Sequence, residues 1–250
     1  MTRVEFTGSR VVREAGAWTP TVHRLLRHLR SRGLTARVPE PFGIDQGRET
    51  VGYIGGAVGA YPLSRAVRSE RALAGSAALL RRLHDAGRDF EHRPEDVWML
   101  PPRSPAETVC HADFAPYNCV FRGAEAVGVI DFDTAHPAPR TWDIAYALYR
   151  FAPFTAPGNP DGFGSPDSRT GRARRFCDAY GLPGEDREAL PELVCERLQG
   201  LVDLMLARAA EGDEKFSKDV EDGHADLYRR DIDHVRANAE AIREGLAPLP

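Results

Sequence analysis

Val109-Cys110-His111-Ala112-Asp113-Phe114-Ala115-Pro116-Tyr117-Asn118-Cys119-Val120-Phe121 is followed shortly by Ala126-Val127-Gly128-Val129-Ile130-Asp131-Phe132-Asp133. Three polar residues thus stand just before one apolar, β-branched run, and two acids stand at the end of another. The runs Cys119 to Phe121 and Ala126 to Phe132 flank Arg122-Gly123-Ala124-Glu125, so the spacing predicts an antiparallel hairpin. In a hairpin, the residue before the first strand lies opposite the end of the second. Asn118 and Asp131 are therefore expected side by side, although they are well apart in sequence.

Two oxygen-bearing side chains at one sheet end suit Mg2+, a hard ion that keeps most of its octahedron for water and phosphate oxygens. Asp113, on a loop bent at Pro116, reaches the same point without ligating the ion, where an acceptor hydroxyl would give up its proton. Without that arrangement, His111, Asp113 and Asn118 would read as turn and capping residues. The spacing to Asp131 turns the reading toward chemistry.

His111-x-Asp113-x-x-x-x-Asn118 with Val129-Ile130-Asp131-Phe132-Asp133 resembles the catalytic loop and metal-binding Asp of the aminoglycoside phosphotransferase and choline kinase superfamily. Leu79-Leu80-Arg81-Arg82-Leu83-His84-Asp85 resembles the helix before that loop, and Trp142-Asp143-Ile144-Ala145 the helix after the metal-binding Asp. The resemblance implies an α+β, two-lobed protein-kinase-like fold. Its small mixed N-lobe would span residues 1–56 and its mainly helical C-lobe residues 57–250. It further implies that Asp113 is the catalytic base, that Asn118 and Asp131 hold Mg2+, that His111 braces the loop, and that Asp143 bonds catalytic-loop backbone. Asp133 is a second metal contact or a turn cap; the cap is preferred because Asp beside a turn commonly bonds nearby amides. ATP or GTP is the implied co-substrate, its base stacked near Tyr53, Ile54 and Gly55.

The chain also departs from that pattern. Its only lysines are Lys215 and Lys218, so no strand lysine faces the phosphates, and Arg13 in Arg10-Val11-Val12-Arg13 is the nearest candidate. Arginine presents a planar fork rather than a point charge. The helix expected from Pro20 to Gly33 holds no acid to pair with such a cation. Thr7-Gly8-Ser9 is a single-glycine turn, read first as an ordinary hairpin and only second as a phosphate cover.

Composition narrows the class of protein. Of 250 residues, 42% are hydrophobic and 28% charged, with 33 basic against 37 acidic and a formal charge of −4. That balance offers no general footprint for nucleic acid or an anionic membrane. No run approaches the roughly 20 apolar residues of a membrane span, and a cytoplasmic location is expected. Cys110, Cys119, Cys177 and Cys195 lack the spacing of a disulfide framework or a zinc site. A flexible connection is expected at Gly55-Gly56 and Gly59; a long loop from Pro153 to Ser168 reads as a functional lid or a disordered segment, and with the helices after it is expected to shape the acceptor pocket. Helices are expected over Glu70 to Ala86, Arg172 to Tyr180, Glu188 to Ala210 and Asp226 to Glu244. His84 is read as a packed core histidine.

The leading reading is a Mg2+-dependent kinase acting on a small-molecule hydroxyl, with antibiotic resistance among the roles the likeness implies. A non-catalytic kinase-like binding or immunity protein is the alternative, and nucleotidylation at the same site a third.

Overall fold

The computed structural model describes residues 4–248. Two hairpins open the chain: β1 (Glu5–Thr7) with β2 (Arg10–Glu14), and β3 (Pro41–Asp45) with β4 (Arg48–Gly52). Gln46 and Gly47 close the second at φ 48° and 73°, the positive angles that match a tight turn to strand twist. The strands form one antiparallel sheet in the order β1-β2-β4-β3, with Arg13 opposite Glu49. Thr7-Gly8-Ser9 is its first hairpin turn, as the sequence reading preferred.

Between the hairpins runs α1 (Thr19–Leu29), which buries Val22, Leu25, Leu26 and Leu29 on one face. Pro20 sits in its first turn, where a missing N–H costs nothing. Thr19 is the first residue of the helix and Trp18 its cap residue, and the Thr19 hydroxyl accepts from the Gly16 N–H at 2.9 Å. Gly33, at φ 90°, ends the turn that follows.

Downstream come β5 (Ala57–Val58), α2 (Glu70–Gly87), β6 (Thr108–Cys110), β7 (Cys119–Arg122), β8 (Glu125–Val129) and β9 (His136–Ala138). Ser69 caps α2 by accepting from the Ala72 N–H. The expected hairpin is β7 with β8, Cys119 facing Val129. Its second strand stops at Val129 rather than Phe132: the Ile130 N–H still bonds the Asn118 carbonyl at 2.9 Å, but Asp131 then takes φ 64° and leaves the extended path. β5 pairs with β7 through Gly56, whose φ is 154° and where a Cβ would lie 2.7 Å from the Phe121 carbonyl oxygen; only glycine allows that approach.

The backbone divides into two compact units between Asp143 and Ile144, inside α3 (Arg140–Phe151). The lobe boundary expected at Gly56 lies within the first unit. The second holds α4 (Pro166–Tyr180), α5 (Leu190–Ala210), α6 (Glu214–Glu221), α7 (His224–Ala237) and α8 (Ala239–Leu246). α4 starts earlier than expected, at a cap formed by Ser165, and the last expected helix is interrupted at Asn238. No described helix is long and apolar enough to cross a membrane.

The 153–165 segment carries no regular structure, yet it is tied down. Buried Asp231 on α7 accepts from the Tyr149 hydroxyl, the Ala156 N–H and the Asn159 amide, each at 2.7 Å. Arg169 donates to the Thr155 carbonyl at 2.7 Å, and Arg150 to Asp161 at 3.0 Å. A loop expected as a lid is thus a fixed loop built around one buried carboxylate. Asp231→Ala strands three donors, and each unsatisfied buried group costs about 1–3 kcal/mol. The urea midpoint should fall by an equivalent of roughly 3 kcal/mol or more, and limited proteolysis should then cut between 153 and 165.

Candidate active site

Asp143 anchors the site. It has no solvent exposure, and accepts from the His111 N–H at 2.7 Å, the Ala112 N–H at 2.8 Å and His84 Nε2 at 3.0 Å. Burial alone would raise its pKa. The His84 hydrogen bond and the charges of His84 and His111 outweigh that, so the carboxyl is held below its usual range. Between the two amides the chain turns sharply, with Ala112 at φ 64°. A left-handed alanine costs about 1–2 kcal/mol, whereas each hydrogen bond to a charged acceptor returns about 1.5–3 kcal/mol. The carboxylate therefore holds a bend that the residues alone would not keep.

His111 braces the same loop from the other side: Nε2 meets the Ile130 carbonyl at 2.9 Å, and the Thr134 hydroxyl donates to the His111 carbonyl at 3.0 Å. That bond ties the loop to the chain that delivers Asp131. After the bend, Asp113 to Asn118 close on themselves. Asn118 Nδ2 donates to the Asp113 carbonyl at 3.0 Å and to Asp113 Oδ2 at 2.8 Å, while the Tyr117 hydroxyl donates to Asp113 Oδ1 at 2.6 Å.

Asn118 and Asp131 border one apolar cavity of about 460 Å³, with Val22, Val51, Val120 and Ile130 among its walls. Arg13, Tyr53 and Ile54 border it too. Gly55 does not; Gly56 does, and the Gly55 carbonyl accepts from Arg122 Nε at 3.0 Å.

Arg13 is the one cation on this cavity among its lining residues, and it is heavily engaged. It donates to Glu49 Oε1 at 2.5 Å, Asp131 Oδ1 at 2.8 Å and Asp133 Oδ1 at 2.5 Å. Burial works against its charge, but Asp133, Asp131 and Glu49 more than offset this and raise its pKa. Asp133 is pushed up by burial and by Asp131 and Glu49, against the pull of Arg13. Its carboxylate thus meets Arg13, where the sequence favoured a cap. Glu49 is buried and held low, its burial penalty outweighed by hydrogen bonds from His23 and Arg13; His23 Nε2 lies 2.8 Å from Glu49 Oε2. An arginine–glutamate pair therefore exists, with its acid on a strand of the sheet and a histidine on α1.

Glu49, His23 and Tyr117 were not singled out from the sequence. For Glu49 the signal was present: in Arg48-Glu49-Thr50-Val51-Gly52 the acid alternates with inward Val51, and both are buried.

The donor set suits one hard cation. Both Asn118 Nδ2 bonds go to oxygen acceptors, which orients the amide and leaves its Oδ1 for a ligand. Asp131 is half exposed and gives Arg13 only Oδ1. Two oxygens on one cavity match what Mg2+ asks of a protein.

The model of the phosphotransferase enzyme (APH) family matches residues 89–193, which include Asp113, Asn118, Asp131 and Asp143. The trifolitoxin immunity protein of Rhizobium leguminosarum bv. trifolii is 33% identical over 195 residues, 74% of this chain and 73% of that one. The chain belongs to the phosphotransferase enzyme family. Solved structures show the same fold at low identity. Amicoumacin kinase hAmiN, in complex with AMP-PNP, Ca2+ and Ami, aligns with a TM-score of 0.62 at 14% identity, covering 88% of each chain. A choline/ethanolamine kinase family protein from Mesorhizobium loti aligns at 0.61 and 16%, covering 96% of this chain and 84% of that one. This family member therefore has the kinase-like fold expected from its catalytic-loop motif, with an unusual ion-pair arrangement in its first sheet.

Because the Asp143 pKa is depressed in the fold, its stabilisation is full above the unfolded carboxyl value of about 3.9 and is lost as pH falls through the folded value. Urea titrations of wild type and Asp143→Asn should differ by roughly 3 kcal/mol at pH 7, and the gap should shrink at pH 3. A gap independent of pH would contradict the assignment.

Proposed function

We propose that this protein is a small-molecule kinase that transfers the γ-phosphoryl group of ATP or GTP to a substrate hydroxyl. One observation carries the reading: Asn118 and Asp131 border a cavity large enough for a nucleoside, and Asn118 bonds Asp113 on a loop held in a costly bend. On this reading, the purine lies between the apolar walls near Tyr53 and Ile54. The Ile54 N–H makes no hydrogen bond among the described residues, and is the hinge donor that a base edge would use.

Asn118 and Asp131 would hold Mg2+, which when bound supplies charge neutralisation at phosphate oxygens. Arg13 turns its fork from Asp131 to the phosphates while Glu49 keeps its stem in place. Asp113 receives the proton of the acceptor hydroxyl, its carboxylate oriented by Asn118. Phosphoryl transfer needs little more than this positioning. A small-molecule acceptor fits a chain with a formal charge of −4.

The name of the rhizobial relative favours a second reading, a kinase-like immunity protein that binds its target without catalysis. The two readings separate by calorimetry. ATP or GTP with Mg2+ should bind wild type, and Asp131→Asn should lose the Mg2+-dependent part; no binding of either nucleotide to folded wild type would give the case to the non-catalytic binder. Once an acceptor is found, Asp113→Asn should lower kcat by about 10²–10⁴-fold with nucleotide affinity nearly unchanged, measured by steady-state kinetics beside the same titration.

A further inference from the structure

Asp113, read above as the base, already holds a hydroxyl. The Tyr117 Oη lies 2.6 Å from Asp113 Oδ1, the separation at which an acceptor would hand over its proton. Between residues 111 and 121, only Asp113 and Tyr117 escape burial, so the phenol and the carboxylate are the two groups the loop exposes. The phenol is also next in sequence to Asn118, the residue read as holding the metal.

The backbone hydrogen bonds of the turn do not involve that hydroxyl. Asn118 and Cys119 N–H both return to the Ala115 carbonyl, Pro116 fixes the entry, and the Gly59 N–H bonds the Pro116 carbonyl at 2.8 Å. A Cβ on Gly59 would meet that carbonyl oxygen at 2.8 Å, so the strand segment presses the turn into place. The ring of Tyr61 stands 6.5 Å from that of Tyr117 and limits where the phenol can swing.

We propose that Tyr117 is an internal phosphoryl acceptor, phosphorylated by its own chain when no outside hydroxyl displaces it from Asp113. This inference rests on the kinase reading above. In the step, the Tyr117 Oη forms a bond to the γ-phosphorus while the bond from that phosphorus to the β–γ bridging oxygen breaks. The phenol proton passes to the Asp113 carboxylate, and the nucleoside diphosphate leaves. The product carries about −1.5 to −2 charge where the acceptor would sit, so a modified chain is closed to outside acceptors until it is dephosphorylated.

The test incubates the whole chain with Mg2+ and γ-labelled ATP or GTP, without added acceptor, alongside calorimetry of the same nucleotide. One phosphate per chain is expected, recovered as phosphotyrosine in the peptide holding Tyr117, at a rate per chain independent of protein concentration. Tyr117→Phe should bind the nucleotide as wild type does and take up no label; Asp113→Asn should bind it and label at least 100-fold more slowly. Nucleotide binding without phosphate on Tyr117, equal labelling of Tyr117→Phe, or a rate rising with chain concentration would overturn the inference and leave the kinase reading standing. Absence of nucleotide binding would overturn both.

Discussion

A single carboxylate without solvent contact holds the candidate site of this protein in place. Asp143 binds two successive amides of the 111–118 loop and one buried histidine. Remove that acceptor and the left-handed bend at Ala112 has no compensation, so Asp113 no longer points where Asn118 can hold it. The dependence runs one way. Asn118, Tyr117 and His111 refine the loop's geometry, but each acts on a backbone path already set by Asp143. A charge buried this deeply is costly unless fully hydrogen-bonded, and here three donors converge on it.

A second buried charge system organises the sheet side of the cavity. In the pattern resembled by the sequence, a lysine on a strand pairs with a glutamate on the helix. Here, the cation is Arg13, the acid is Glu49 on the neighbouring strand, and α1 contributes His23 to that acid. Antiparallel register puts Arg13 and Glu49 directly opposite each other, so their alignment needs no helix movement. The link from α1 to the cation survives with its polarity rearranged: the helix donates or accepts through an imidazole rather than supplying the carboxylate.

How much of this was legible depends on the range of the interaction. The β7–β8 hairpin, the meeting of Asn118 and Asp131, and the helix around Glu70 to Gly87 follow from local periodicity and turn chemistry, which a single sequence displays. The end of β8 was misplaced because Ile130 and Phe132 continue the apolar run, while the backbone at Asp131 turns to φ 64° and leaves the strand. The same limit hid the loop after α3. Its Pro, Gly and Asn content reads as freedom, and Asp231, far along the chain, removes that freedom. Glu49 was readable as an acid on an inward strand position, but its meaning required the partner strand's register.

On the phosphotransfer reading, the charges at the cavity decide how a nucleotide can enter it. Glu49, Asp131 and Asp133 all bond one guanidinium, that of Arg13. A free nucleotide brings more negative charge into this setting, and like charges in a partly dry site repel strongly. Arg13 cannot relieve that repulsion alone, since each bond it gives a phosphate is taken from a carboxylate. On the phosphotransfer reading, the divalent ion is therefore required for binding as well as for rate, because it alone adds positive charge without stripping an existing pair. The apolar walls supply affinity for the base, but the carboxylates admit the phosphates only when a cation comes with them.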